Sequence, residues 1–169
     1  LDDGTDYYMI NPKGSVPLLE LDNGERLTEG PAIVQYIADQ APDKKLAPAN
    51  GSFERYRVQE WLNFITSELH KGYSPLFRPT TPEDFKPVLR EALLKKYEFV
   101  DSRLAGKQYL MGDHFSVPDA YLFTVTSWAK HVGLDLSKLD NLNAFMARMA
   151  ARPSVQAALE AEGLVKKAA

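Results

Sequence analysis

The chain has 169 residues, 44% hydrophobic and 25% charged, which is enough to bury a sizeable core and shows no compositional sign of disorder. Twenty Lys and Arg against 23 Asp and Glu give a formal charge of −3, so there is no broad basic face for nucleic acid or another polyanion. The absence of cysteine excludes disulfides, and no apolar run approaches the ~18 residues a membrane-spanning helix needs.

The loop Asn11-Pro12-Lys13-Gly14-Ser15 ends at Val16-Pro17 and enters an apolar run, Leu18-Leu19-Glu20-Leu21, with the content of a strand. Pro17 cannot donate to a ladder, so it belongs at the first residue of that strand or on an edge. Asp22-Asn23-Gly24 reads as a tight hairpin turn, because Asn-Gly supplies positive φ angles, and Glu25-Arg26-Leu27 forms the second strand. Thr28-Glu29-Gly30-Pro31 opens a helix, with Pro31 suited to the first helical position, and the helix runs to about Ala41 and stops at Pro42. Two prolines, a glycine and charges across 42–51 mark a linker.

Everything after the linker reads as helix. Ser52 caps a long helix whose apolar positions Tyr56, Leu62, Ile65 and Leu69, with Trp61 beside them, recur at helical spacing until Gly72-Tyr73-Ser74-Pro75 ends it. Thr81-Pro82-Glu83-Asp84 opens the next, with Phe85, Val88, Leu89, Ala92, Leu93, Val100 and Leu104 as its stripe. Ser116-Val117-Pro118-Asp119 is a capping box for a helix to about Lys130 that is apolar nearly all round. Helices near Leu142–Met149 and Ser154–Glu162, separated by Arg152-Pro153, finish the chain. The fold class is α+β to mostly α: a β-hairpin and helix (1–41), a linker (42–51) and an all-helical part (52–169).

The chemistry lies at the start of the Gly30 helix. Its unpaired backbone N–H groups and positive dipole end attract a carboxylate, while Glu29 attracts an ammonium, and an α-amino-acid end group carries both charges. The plainer alternative is that Thr28 and Glu29 only cap the helix. Val16-Pro17, one hairpin away, favours the binding role: a cis bond there would present the Val16 N–H and C=O to an extended peptide. The local sequence does not choose the isomer, and trans is the commoner state. His70 and Lys71 read by themselves as favourable positive charge at a helix C-terminus. His114 and His131 have no second ligand at useful spacing, so they read as surface residues and no metal site is proposed.

The run Asn11 to Pro17, the Thr28-Glu29-Gly30 turn and Glu68-Leu69-His70-Lys71, in this order and spacing, resemble a bacterial beta-class cytosolic glutathione transferase, and the similarity extends to Ala161-Glu162-Gly163-Leu164. The resemblance implies a thioredoxin-like domain carrying the glutathione site, of which the hairpin and helix would be the C-terminal part, followed by an all-helical domain. It implies that Val16, Pro17, Glu29, Gly30, Asn63, His70 and Lys71 bind glutathione, the co-substrate, with His70 also polarising or holding the thiol. Asn63 stands seven residues before His70, about two helical turns, so the two are expected on one face.

Gly30 stands where many such transferases have serine, leaving only backbone N–H for the carboxylate. Ser116 and Asp119 take a structural role, while Tyr73, Phe77 and Trp128 are candidates for lining an apolar pocket or for plain core. The family begins with a β-α-β unit that this chain does not show, and its cysteine would lie there, so a truncated chain with little or no activity of its own is expected. A homodimer acting on glutathione and a small apolar electrophile is implied, with no membrane partner. A cytoplasmic location is the simplest expectation, since no signal-peptide pattern opens the chain. The alternative is a transferase-like binding or scaffold module without turnover.

Overall fold

A computed structural model describes residues 1–165; positions 166–169 of the expected helical part lie outside the described residues. The chain divides into two compact units, Leu1–Gln59 and a second that begins at Glu60.

The first unit opens with a helical turn, α1 (Tyr7–Ile10), which the sequence pattern does not announce; Asp6 caps it by accepting the Tyr8 N–H at 3.0 Å. Strands β1 (Leu18–Glu20) and β2 (Arg26–Thr28) pair antiparallel with Leu18 opposite Thr28 and Leu19 opposite Leu27. The turn between them differs from the expected tight form. Gly24 alone takes a positive φ, 82°, its N–H donates to the Leu21 carbonyl at 2.8 Å, and the Leu21 N–H donates to Glu25 at 2.9 Å. This is a three-residue loop, Asp22-Asn23-Gly24, closed by a left-handed glycine between the hydrogen-bonded Leu21 and Glu25.

Helix α2 (Gly30–Gln40) packs across the hairpin and buries Ile33 and Ala38. Arg55, on the first turn of α3 (Phe53–Phe64), is 3% exposed and ties that helix to α2. Its guanidinium donates to both Asp39 oxygens, at 2.8 and 2.7 Å, to Gln35 and to the Pro48 carbonyl. Tyr56, expected on the apolar stripe, is 58% exposed; the inward positions are Arg55 and Val58, in step with Leu62. An arginine on the buried face hides the periodicity that a pattern search follows.

In the second unit the expected helix stop at Gly72–Pro75 does not occur. Helix α3 widens into a π-helical stretch, Ile65–His70, and continues as α4 (Lys71–Phe77) with Pro75 inside it. A Cβ at Gly72 would lie 2.9 Å from Leu93 Cδ1, so this glycine lets α4 approach α5 (Lys86–Leu104) and is not a terminator. Helix α5 also starts later than Thr81-Pro82 suggested: the Thr81 hydroxyl donates to the Pro75 carbonyl at 2.6 Å, and Phe85 closes a turn onto Pro82.

Leu93, Val100 and Leu104 point inward from α5 as expected, together with Tyr97, whereas Phe85 and Val88 are half-exposed and Ala92 is exposed. Helix α6 (Val117–Ser127) ends a little early and passes into a 3₁₀ turn, Ala129–Val132. Helices α7 (Asp140–Ala150) and α8 (Pro153–Ala161) follow. The core stacks Ile65, Leu69 and Tyr73 against Tyr97, Leu122, Val125, Leu142, Phe145 and Met149, each buried side chain contributing about 1.5–3 kcal/mol.

Candidate active site

The hairpin register brings together the residues expected to receive an amino-acid end group. Pairing Leu18 with Thr28 sets Val16-Pro17 beside Glu29-Gly30 at one end of the ladder, and a Cβ at Gly30 would sit 3.7 Å from Pro17 Cγ. That is ordinary contact, so a serine would fit where this chain has glycine. The Val16-Pro17 bond is cis, the isomer that local sequence left open. Val16 is 80% exposed, and among the described residues no hydrogen bond takes up its N–H or C=O.

Asn11, 3% exposed, builds the loop that leads there. Its side chain donates to the Ser15 carbonyl at 2.7 Å and accepts the Lys13 N–H at 3.2 Å, while the Tyr7 hydroxyl donates to the same Ser15 carbonyl at 2.9 Å. Gly14 has φ 64°, and a Cβ there would come within 2.5 Å of the Tyr8 ring, so only glycine closes this loop. The buried asparagine organises a loop so that an exposed backbone edge follows it.

Glu29 does not cap α2 with its side chain, which removes the plainer reading of that residue. It stands at φ 73° and ψ 111°, a backbone region that costs a residue with a β-carbon about 1–3 kcal/mol, and it directs its carboxylate to Lys13 Nζ at 2.6 Å. Lys13 also donates to Thr28 Oγ1 at 2.7 Å. Lys13, which the sequence does not single out, lies in the Asn11–Pro17 run and meets Glu29 only in the folded hairpin unit. A lysine ammonium resting on Glu29 shows that this carboxylate accepts a primary ammonium in the geometry present.

On the helical unit His70 closes the π-helical stretch and Lys71 follows it, exposed. The wider turn holds one residue more than an α-turn, so the two-turn count from Asn63 to His70 does not apply. His70 is rotated by about 100° from the face that count assigned. Its ring meets α6 instead: Nδ1 lies 2.7 Å from the Tyr121 hydroxyl, and the ring stands edge-on to Trp128 with centroids 4.8 Å apart. Burial, and then the neighbouring Lys71 charge, hold the imidazole pKa below its ordinary value, so the ring is neutral at pH 7.

Tyr73 is fully buried, its hydroxyl donates to Tyr97 at 2.9 Å, and it belongs to the core. Burial pushes the Tyr73 phenol up and the Tyr97 phenol up to about 12, so neither ionises at neutral pH. Phe77, half-exposed, and Trp128 stay beside the His70 ring system. Ser116 and Asp119 form the expected capping box, Asp119 accepting the Leu110 and Ser116 N–H groups at 2.8 Å each. His114 and His131 are exposed, and among the described residues no group of three or more His, Cys, Asp or Glu is placed to share a cation.

Residues 2–39 match the family described as Glutathione S-transferase, N-terminal domain, and residues 64–153 match Glutathione S-transferase, C-terminal domain. The chain is 53% identical over 164 residues to Glutathione S-transferase GstA of Escherichia coli O157:H7, covering 97% of this chain and 82% of that protein. The chain belongs to the glutathione S-transferase family.

Among solved transferases, a ternary complex of BphK, a bacterial member, superposes with a TM-score of 0.93 at 54% identity, over 95% of this chain and 80% of that one. A bacterial beta-class transferase of Sphingomonas chungbukensis gives 0.93 at 48% identity, over 97% and 82%. These likenesses establish the transferase fold, its thioredoxin-like part represented here by the two-stranded hairpin and α2, and its C-terminal part all-helical.

Proposed function

We propose that the protein is a glutathione transferase that joins the glutathione thiol to small apolar electrophiles. The observation that carries this reading is the pairing of an exposed Val16 backbone edge with the Glu29-Gly30 helix start at one end of the hairpin. The γ-glutamyl ammonium would replace Lys13 on Glu29, its carboxylate would take the Gly30 N–H at the positive end of α2, and the cysteinyl backbone would pair with Val16 next to Pro17. Asn63, His70 and Lys71 would complete the site from the helical part. The positions 1–41 would then be the last part of the glutathione-binding domain, 42–51 the linker and 52–169 the helical domain.

In the proposed reaction the nucleophilic sulfur is that of glutathione. Lowering the thiol pKa raises the thiolate fraction; the proton leaves to solvent, the sulfur forms the new bond, and the leaving group departs with the electron pair of the bond that breaks. Support for glutathione as the co-substrate comes from a related transferase of 45% identity solved with glutathione bound. A homodimer in the cytoplasm, without membrane or nucleic-acid partners, completes the proposal; among the described residues no helix is long and apolar enough to cross a membrane.

The test is retention of the complete protein on immobilised glutathione, together with its conjugation of a chromogenic aryl halide. Both are expected. Retention without conjugation would favour a transferase-like binding module, and the absence of both would end the reading.

A further inference from the structure

His70 is the histidine of the proposed glutathione site, and its two ring nitrogens offer opposite chemistry. A nitrogen bearing hydrogen can donate to a thiolate; a bare nitrogen can take the thiol's proton. Which one faces the ligand depends on what the other nitrogen does.

Nδ1 lies 2.7 Å from the Tyr121 hydroxyl, the spacing of a short O–H···N bond. A phenol is a stronger donor than a neutral imidazole N–H, and an imidazole nitrogen is a better acceptor than a phenol oxygen, so the shared proton sits on Tyr121. The opposite arrangement would suit an imidazolium, which both burial and the adjacent Lys71 charge oppose. The mounting is stiff. Tyr121 and Trp128 are seven residues apart, about two turns along and just past α6, and hold the ring from one face, by the hydrogen bond and by the edge contact at 4.8 Å. Helix α6 is itself anchored at its start by the buried Ser116–Asp119 box.

We propose that Tyr121 is the positioning residue of His70, donating to Nδ1 and fixing the ring as its Nε2–H tautomer, so that His70 gives a hydrogen bond to the glutathione thiolate and does not remove the thiol proton. The inference rests on the transferase reading for its ligand, but the tautomer is a property of the chain alone.

Long-range ¹H–¹⁵N correlation of the histidine rings in the labelled chain at pH 7.5 tests it directly, with exposed His114 and His131 as references for free rings. His70, identified by loss of its signals in His70→Gln, is expected to show a bare but hydrogen-bonded Nδ1 and a protonated Nε2. A protonated Nδ1 would overturn the assignment. In Tyr121→Phe the Nδ1 resonance is expected to move toward that of the reference rings. In the complete protein the same change should lower kcat about tenfold, the worth of one hydrogen bond, with KM for glutathione changed by less than about twofold. An unmoved resonance or an unchanged kcat in a variant that melts like the parent would overturn the positioning role. An Nε2–H ring in a complete protein that conjugates nothing would sink the transferase reading and leave the tautomer assignment standing.

Discussion

Glu29 holds a backbone conformation, φ 73° and ψ 111°, that glycine adopts freely and glutamate does not, at the point where the ligand ammonium is proposed to bind. Its ion pair with Lys13 is half-exposed or more at both ends, and such pairs contribute little to stability. Glu29→Gly is therefore expected to relieve more strain than it loses in contacts and chain entropy, raising stability by about 1 kcal/mol while abolishing retention on glutathione. Chemical denaturation and resin binding measured on the same variant check this; a variant less stable than the parent would show that the strain is not there.

His70 makes the second prediction at this scale. Its folded-state pKa is held below the ordinary 6.5, first by burial and then by Lys71, so between the two values the unfolded chain binds more protons. Its contribution to stability therefore rises with pH through that window and is lost as pH falls below 6.5. His70→Gln should flatten that part of the stability profile, as followed by urea midpoints between pH 5 and 8 (roughly the histidine range).

At the scale of elements, the capping box shows how far local sequence reaches. Ser116 and Asp119 are three apart, and the structure closes the box they spell, but it adds a bond the spacing cannot show: Asp119 also accepts the Leu110 N–H, fastening the preceding loop to α6. Burial raises the Asp119 pKa, while these hydrogen bonds and Arg152 oppose that rise. Asp119→Ala strands two buried N–H groups and is expected to lose about 3 kcal/mol, read as a lower midpoint in urea with an unchanged slope.

The hairpin, α2 and the later helices were legible for the same reason, since their signals are short-range. The helix through His70 was not. Gly72 and Pro75 are stop signals in isolation, yet Gly72 serves the approach of Leu93, more than twenty positions away, and the π-helical stretch that turns His70 toward Tyr121 has no marker in the local pattern. Arg55 misled the periodicity because its partner, Asp39, sits on another helix. Among the candidate residues, Val16, Glu29 and His70 stand out in the sequence, while the contacts Glu29 makes with Lys13 and His70 makes with Tyr121 appear only in the structure.

At the scale of the molecule, the proposed homodimer would need an apolar surface that one copy leaves open, and α5 offers a candidate. Phe64, Val88, Ala92 and Phe99 line a shallow groove on the helical unit, with Val88 55% and Phe99 47% exposed. Phe99 stacks on Trp61 and Phe64 at centroid distances of 6.0 and 5.2 Å, so it is held as a rigid anchor with little entropy left to lose. Glu91 and Lys95 border the groove as an exposed pair 3.1 Å apart. An antiparallel copy of α5 about a two-fold axis would face each charge with its opposite, the self-complementarity an isologous contact requires. Phe99→Glu places a carboxylate in the apolar part of that surface without disturbing a fully buried side chain. It is expected to shift the complete protein from dimer to monomer in sedimentation velocity, with helical content retained by circular dichroism. Glu91→Lys alone, which sets like charges opposite one another, should weaken the dimer about tenfold, and pairing it with Lys95→Glu should restore it. A parent protein that sediments as a monomer, or a Phe99→Glu variant that remains dimeric, would remove α5 from the interface.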